Sequence, residues 1–187
     1  MKNFELSSSE LYSVAFRDQG VHSFVEACNY IAQLPYGRNA NREDFSLVLS
    51  ERRGTSSSKH ALLAELALEN GRPEVELIAG IFLMSGETHT KLVPFFENKP
   101  YASLPECHCY LRYKGERFDF TDTSETLKRI IPKLVREQRI DPGQVCDWKI
   151  VIHQDYLKRW LNRNPAVGMT LEEIWKDREE VITLLGK

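Results

Sequence analysis

The sequence predicts an α+β fold, and three observations predict it. Helical apolar spacing recurs between residues 9 and 69; a largely apolar run at 75–84 and an alternating pair of runs at 106–121 read as strands; helical patterning then returns and dominates the last third. Strands grouped together between blocks of helices point to α+β. A chain of 187 residues is long enough for one domain with a real core. The expected organisation is a single domain over 1–187, with N-terminal helices at 1–50, a central core at 51–125 and a mostly helical part at 126–187.

The elements follow in order. Ser7-Ser8-Ser9 before Glu10 reads as a helix start, with a helix over about 9–17 and a turn at Asp18-Gln19-Gly20. Val21, Phe24, Val25, Cys28, Ile31 and Ala32 have helical spacing, and Pro35 stops that helix. Residues 36–41 have turn chemistry, and Asp44 opens a short helix. The helix after Ser56 carries Leu62, Leu63, Leu66 and Ala67 on one face, with Lys59, Glu65 and Glu69 expected elsewhere; Asn70-Gly71 ends it. A buried strand is expected at 75–84 and a Pro-rich loop with a short helix at 86–104. Two strands over 106–113 and 116–121 meet at Lys114-Gly115. Asp147–Leu161 reads as a helix, and Thr170-Leu171-Glu172-Glu173 is a capping box for the last one.

Composition removes several function classes. Hydrophobic residues make up 42% and charged residues 28%, ordinary values for a soluble globular chain. A net charge of −2 gives no electrostatic case for nucleic acid or an anionic membrane. No segment approaches the length of a membrane-spanning helix, and the start lacks the apolar run of a signal peptide. The four cysteines show no disulfide-framework spacing, so a reducing, cytoplasmic setting is expected.

Two stretches carry chemistry. Arg53-Gly54-Thr55-Ser56-Ser57-Ser58-Lys59-His60-Ala61 feeds a small-residue turn into a helix, which sets a side-chain oxygen where the helix N–H groups favour an anion. The same serines are good helix caps, and capping alone would account for them. In the hairpin, a two-residue turn at Lys114-Gly115 sets Tyr113 opposite Glu116, Tyr110 opposite Asp119 and His108 opposite Thr121. Glu106, His108, Tyr110, Arg112, Arg117, Asp119 and Thr121 then share one face, with His108 and Asp119 as diagonal neighbours about 7–8 Å apart or less at Cβ. Cys109, Leu111, Phe118 and Phe120 take the other face, toward a core. The plainer alternative for the polar face is a solvated strand surface.

Taken together, Gly54-Thr55-Ser56-Ser57-Ser58-Lys59-His60-Ala61-Leu62-Leu63, Pro105-Glu106-Cys107-His108-Cys109-Tyr110 and Arg117-Phe118-Asp119-Phe120-Thr121 resemble the transglutaminase-like superfamily, and more closely a group of uncharacterised bacterial proteins related to it. The likeness covers about residues 30–125, and Trp175–Leu184 also resembles the closer group. It implies a papain-like architecture, with a helix N-terminus packed on an antiparallel sheet. It also implies a Cys-His-Asp site in which Ser56 holds the nucleophile position, His108 the base and Asp119 the orienting acid. The chain departs from the pattern at Ser56, where the family has Cys. A helix N-terminus and a nearby imidazolium shift a thiol toward thiolate; a hydroxyl needs a well-placed base and an oxyanion hole at the moment of attack. Ser56 is therefore an engineered or natural loss of the nucleophile or, last in rank, a serine nucleophile.

Other constellations weigh less. Ser56-Ser57-Ser58-Lys59 fits S-x-x-K, but the S-D-N and K-T-G partners of that pattern are missing from the sequence. Alternation separates His108 from Cys107 and Cys109, so core cysteines are expected rather than zinc ligands. His60, one turn beyond Ser56, reads as a structural histidine or as a group supporting the site. Glu106 either tunes His108 or faces solvent, and Arg52 and Arg53 either bind a substrate carboxylate or solvate a turn. The Ser56 amide is the natural first oxyanion donor, with Asn39 and Asn41 as loop candidates for a second. No cofactor or metal is expected, calcium included. The expected partner is a peptide, protein or small amide substrate, with no nucleic acid and no membrane; the oligomeric state is not encoded legibly. Two functions follow: an acyl-transfer or amide-hydrolysis site that is inactive or weakly active as written, or a non-catalytic module that uses the cleft to bind a peptide or small molecule.

Overall fold

The computed structural model describes residues 1–124 and 126–186; Glu125 and Lys187 lie outside the described residues. In chain order the elements are α1 (Leu11–Asp18), α2 (Phe24–Gln33), α3 (Leu47–Ser50), α4 (Ser56–Glu69), β1 (Glu76–Met84), α5 (Val93–Glu97), β2 (Leu104–Tyr113), β3 (Glu116–Phe118), α6 (Thr126–Ile130), β4 (Leu134–Ile140), α7 (Asp147–Arg163) and α8 (Leu171–Leu185). The class is α+β, with a four-stranded antiparallel sheet in the order β3-β2-β1-β4. No helix among the described residues is long and apolar enough to cross a membrane.

The chain divides into two compact units. Unit 1 comprises Met1–Ala79, Cys109–Ser124 and Gln138–Cys146; unit 2 comprises Gly80–His108, Glu125–Glu137 and Asp147–Lys187. The divisions fall inside β1 after Ala79 and inside β2 after His108.

Unit 1 is built on α4. Thr55 caps it by accepting the Ser58 amide while Ser58 Oγ accepts the Thr55 amide. Ten of its fourteen residues are buried, so it is enclosed on nearly every side rather than amphipathic. Lys59, expected away from the apolar face, is fully buried. Helices α1, α2 and α3 and a 3-10 turn at Pro142–Val145 pack on α4. The serines before α1 do not supply its main cap. Glu69, near the far end of α4, accepts the Tyr12 and Ser13 amides at 2.8 and 2.7 Å, a carboxylate at a helix N-terminus where the dipole favours it.

The core of unit 2 gathers Phe82, Met84, Leu92, Phe95, Phe96, Tyr101, Leu104, Leu157, Ile174 and Val181, with Trp160 and Trp175 packed against it. Deep in this unit Arg178 of α8 meets Glu106 of β2 through two parallel N–H···O bonds of 2.8 and 2.9 Å, the fork geometry that guanidinium and carboxylate share. Glu106 therefore does not face solvent. Burial raises its pKa, but Arg178 outweighs that and holds it at about 2. His153 of α7 is also buried, with Nε2 2.8 Å from the Pro105 carbonyl.

The hairpin has the register that Lys114-Gly115 dictates: Tyr113 pairs with Glu116, Arg112 with Arg117 and Leu111 with Phe118. Lys114 and Gly115 both take positive φ, 50° and 82°, as a two-residue turn matched to strand twist requires. The second strand is shorter than the alternation suggests, ending at Phe118, so Asp119 and Thr121 lie beyond the ladder. Nor is the polar face of β2 a solvated one: Glu106, His108 and Tyr110 are all buried.

Candidate functional site

Within unit 1 the approach to Ser56 is fixed by backbone. Gly54 accepts the Gly37 amide and donates its own amide to the Pro35 carbonyl, each at 3.2 Å. A side chain at Gly54 would meet Lys59 Cγ at 2.8 Å and Ser58 Oγ at 3.0 Å, so the close approach of this loop to α4 requires glycine. Arg52, two residues earlier, takes a positive φ of 52° and reaches Tyr30 Oη at 3.3 Å, while Arg53 pairs with Glu51 at 3.3 Å.

Ser56 is the first residue of α4 and is 6% exposed. Its Oγ accepts the Cys109 amide of β2 at 3.5 Å, and the neighbouring Ser57 Oγ lies 3.7 Å from Cys109 Sγ. The helix N-terminus thus packs against the segment of β2 that belongs to the same unit. The cysteines at 28, 107, 109 and 146 are unoxidised and buried, as core cysteines should be.

Two further residues of α4, Lys59 and His60, hold the chain that follows β3. Lys59 Nζ donates to the Leu34 carbonyl at 2.5 Å and to the Thr121 carbonyl at 2.6 Å. Burial pulls the Lys59 pKa down to about 8, against the pull of Asp122 and Asp119. The Phe120 amide donates to His60 Nε2 at 2.8 Å. That nitrogen is therefore the acceptor of the neutral ring, and Nδ1 carries the hydrogen that meets the Ser56 carbonyl at 2.8 Å. Both ring nitrogens have backbone partners, which makes His60 the structural histidine of the two readings. Asp119 accepts the Thr121 amide at 2.9 Å, and its Oδ1 lies 3.5 Å from His60 Nε2. The structure thus brings Ser56 to the Cys109 amide and Asp119 to His60. His108 is assigned to unit 2, buried, with its ring edge-on to Phe82 at 6.3 Å.

Of the two asparagines offered as oxyanion donors, Asn39 has its amide N–H groups directed elsewhere. Asn39 Nδ2 contacts the Leu47 carbonyl, Glu51 Oε2 and the Arg53 carbonyl at 3.0–3.2 Å, three acceptors that also fix which way the amide is turned. Asn41 Oδ1 takes the Glu43 amide in a local turn.

Sequence reasoning missed the Cys109 amide and the Lys59 clamp. A backbone N–H leaves no mark in a sequence. Lys59 did leave one: a lone cation followed by His60-Ala61-Leu62-Leu63, in a helix with apolar residues on several faces, has little room for a solvated side. Comparison with protein-family models, curated proteins and solved structures found no match to the chain.

Proposed function

We propose that the chain carries a transglutaminase-like or cysteine-peptidase-like acyl-transfer site with Ser56 at the nucleophile position, and that as written it turns over an amide or peptide slowly or not at all. One observation carries the reading: a side-chain oxygen on the first residue of a long buried helix, next to a backbone N–H from β2. A thiolate there would have the helix N-terminus and a fixed amide as favourable neighbours. A hydroxyl gains little from either, because neither removes its proton. Motif order assigns the base to His108, the residue before the Cys109 amide, and the orienting acid to Asp119. In a cysteine form the thiolate adds to the carbonyl, the protonated base gives its proton to the leaving amine, and water or another amine releases the acyl group.

The test is alkylation of a Ser56→Cys variant by iodoacetamide across pH, read by peptide mass spectrometry, beside the same variant carrying His108→Ala. Labelling well below the ordinary thiol pKa of ~8.5 that is lost with His108→Ala is the expected result. Slow labelling that ignores His108 overturns the reading and leaves Ser56 a buried serine that only joins the start of α4 to β2.

A second reading, a non-catalytic peptide or small-molecule binding module, draws on the same contact: the Cys109 amide engages the Ser56 oxygen that attack would use. Under that reading the introduced thiol titrates as an ordinary one.

A further inference from the structure

Helix α7 carries a pattern that the acyl-transfer reading does not use. Tyr156, Arg159, Trp160 and Arg163 fall at i, i+3, i+4 and i+7, the spacing of one helix face. Together with Val135 and Arg136 of β4 they line a cavity of about 250 Å³ that lies wholly within unit 2. Three arginines, Arg136, Arg159 and Arg163, line this one small space, and Asp155 lies 2.5 Å from Arg159 Nη2. This concentration of positive charge runs against a chain whose net charge is −2. The planar forks of guanidinium groups match phosphate and carboxylate oxygens, and several on one cavity favour an anion there.

The rest of the lining limits what the anion is attached to. Trp160 packs against the core and meets Tyr101 edge-on at 6.0 Å, so its indole is held in place. Tyr156 stands one helical turn before it on the same face. Two aromatic side chains beside the arginines favour a flat, apolar ligand body. A volume of 250 Å³ equals roughly eight water molecules, below the range that takes drug-sized ligands. That is room for one ring and its charged group, and too little for a dinucleotide.

We propose that this cavity binds a small aryl phosphate, with the phosphoryl oxygens on Arg136, Arg159 and Arg163 and the ring against Tyr156 and Trp160. The site is independent of Ser56 and adds a ligand class to whatever the other unit does.

The probes are phenyl phosphate, inorganic phosphate and phenol, titrated against the full chain by calorimetry and by tryptophan fluorescence. A Trp160→Phe variant identifies the reporting indole. Arg159 is 61% exposed, so an Arg159→Gln/Arg163→Gln variant removes two forks with little risk to folding, and its thermal midpoint checks this. Phenyl phosphate should saturate the chain with a Kd at least about tenfold below that of inorganic phosphate, phenol should not bind, and the double variant should lose at least about tenfold in affinity at an unchanged midpoint. Equal affinity for the two phosphates, no saturation at millimolar concentration, or binding that survives loss of both arginines would each overturn the proposal.

Discussion

Lys59 sets a primary amine between two carbonyl oxygens in a place that water does not reach. An ammonium has three hydrogens to place there; a neutral amine has two, one for each carbonyl. The group's pKa falls from about 10.4 in an unfolded chain to about 8 in the fold. Between those values the unfolded chain binds a proton that the folded one lacks, so stability rises with pH across the window, by at most about 1.4 kcal/mol per pH unit. Urea denaturation of the chain and of a Lys59→Met variant should show the difference between them growing in favour of the chain from about pH 8 to pH 10. A constant difference would mean the amine is already solvated. Ser56 and Asp119 were legible as members of an ordered motif, and His60 as a histidine one turn beyond Ser56. Their partners were not legible, because Cys109, Phe120 and Thr121 contribute backbone atoms that any residue possesses.

Among the elements, the β2–β3 turn and the three pairs next to it were readable, since positive φ at Lys114 and Gly115 fits a two-residue turn that sets the register; the end of β3 at Phe118 was not, because alternation continues to Thr121 where the ladder does not. The lysine at the first position of the turn is a poor choice for that conformation, which costs a residue with a Cβ about 1–2 kcal/mol and asparagine less. Lys114→Asn should therefore stabilise the chain by about 0.5 kcal/mol or more even after losing the contact of Lys114 with the Tyr113 ring. An unchanged or lower urea midpoint would count against the turn described. Strand β4 escaped sequence reading altogether. Leu134-Val135-Arg136-Glu137-Gln138-Arg139-Ile140 has four consecutive charged or amide residues, and the last third of the chain was read as helical. Its place at the sheet edge explains that composition, because an edge strand is only partly covered and charge discourages further pairing. The true cap of α1 was equally hidden, since Glu69 comes from a helix more than fifty residues later.

At the scale of the whole molecule, stability leans on contacts between distant parts of the chain. Arg178 and Glu106 are 72 residues apart and form a buried pair. Removing one partner strands the other charge, so Arg178→Met should cost about 3–5 kcal/mol, while adding Glu106→Gln to it should recover much of the loss. The pH dependence has a definite sign. The folded pKa of Glu106, about 2, lies below the unfolded value near 4.3. Its contribution is therefore complete above about pH 4.3 and is lost as the pH falls toward 2. Acid titration of the double variant should lack this component, and an identical acid midpoint would remove the pair from the account. The mixed α+β character was legible because periodicity is local. The grouping into units was not, because it depends on which segments meet.

That grouping also bears on how the chain can be synthesised. Each unit is assembled from three separate stretches, and unit 1 is complete only with Gln138–Cys146, after Gly80–His108 and Glu125–Glu137 have already been made. A ribosome therefore cannot release one finished half before starting the other. The first 79 residues emerge without the Pro142–Val145 turn that packs on α4. Buried helical surface stays open through most of translation, a state that invites chaperone capture. For the same reason no single cut in the gene yields either half as a continuous fragment.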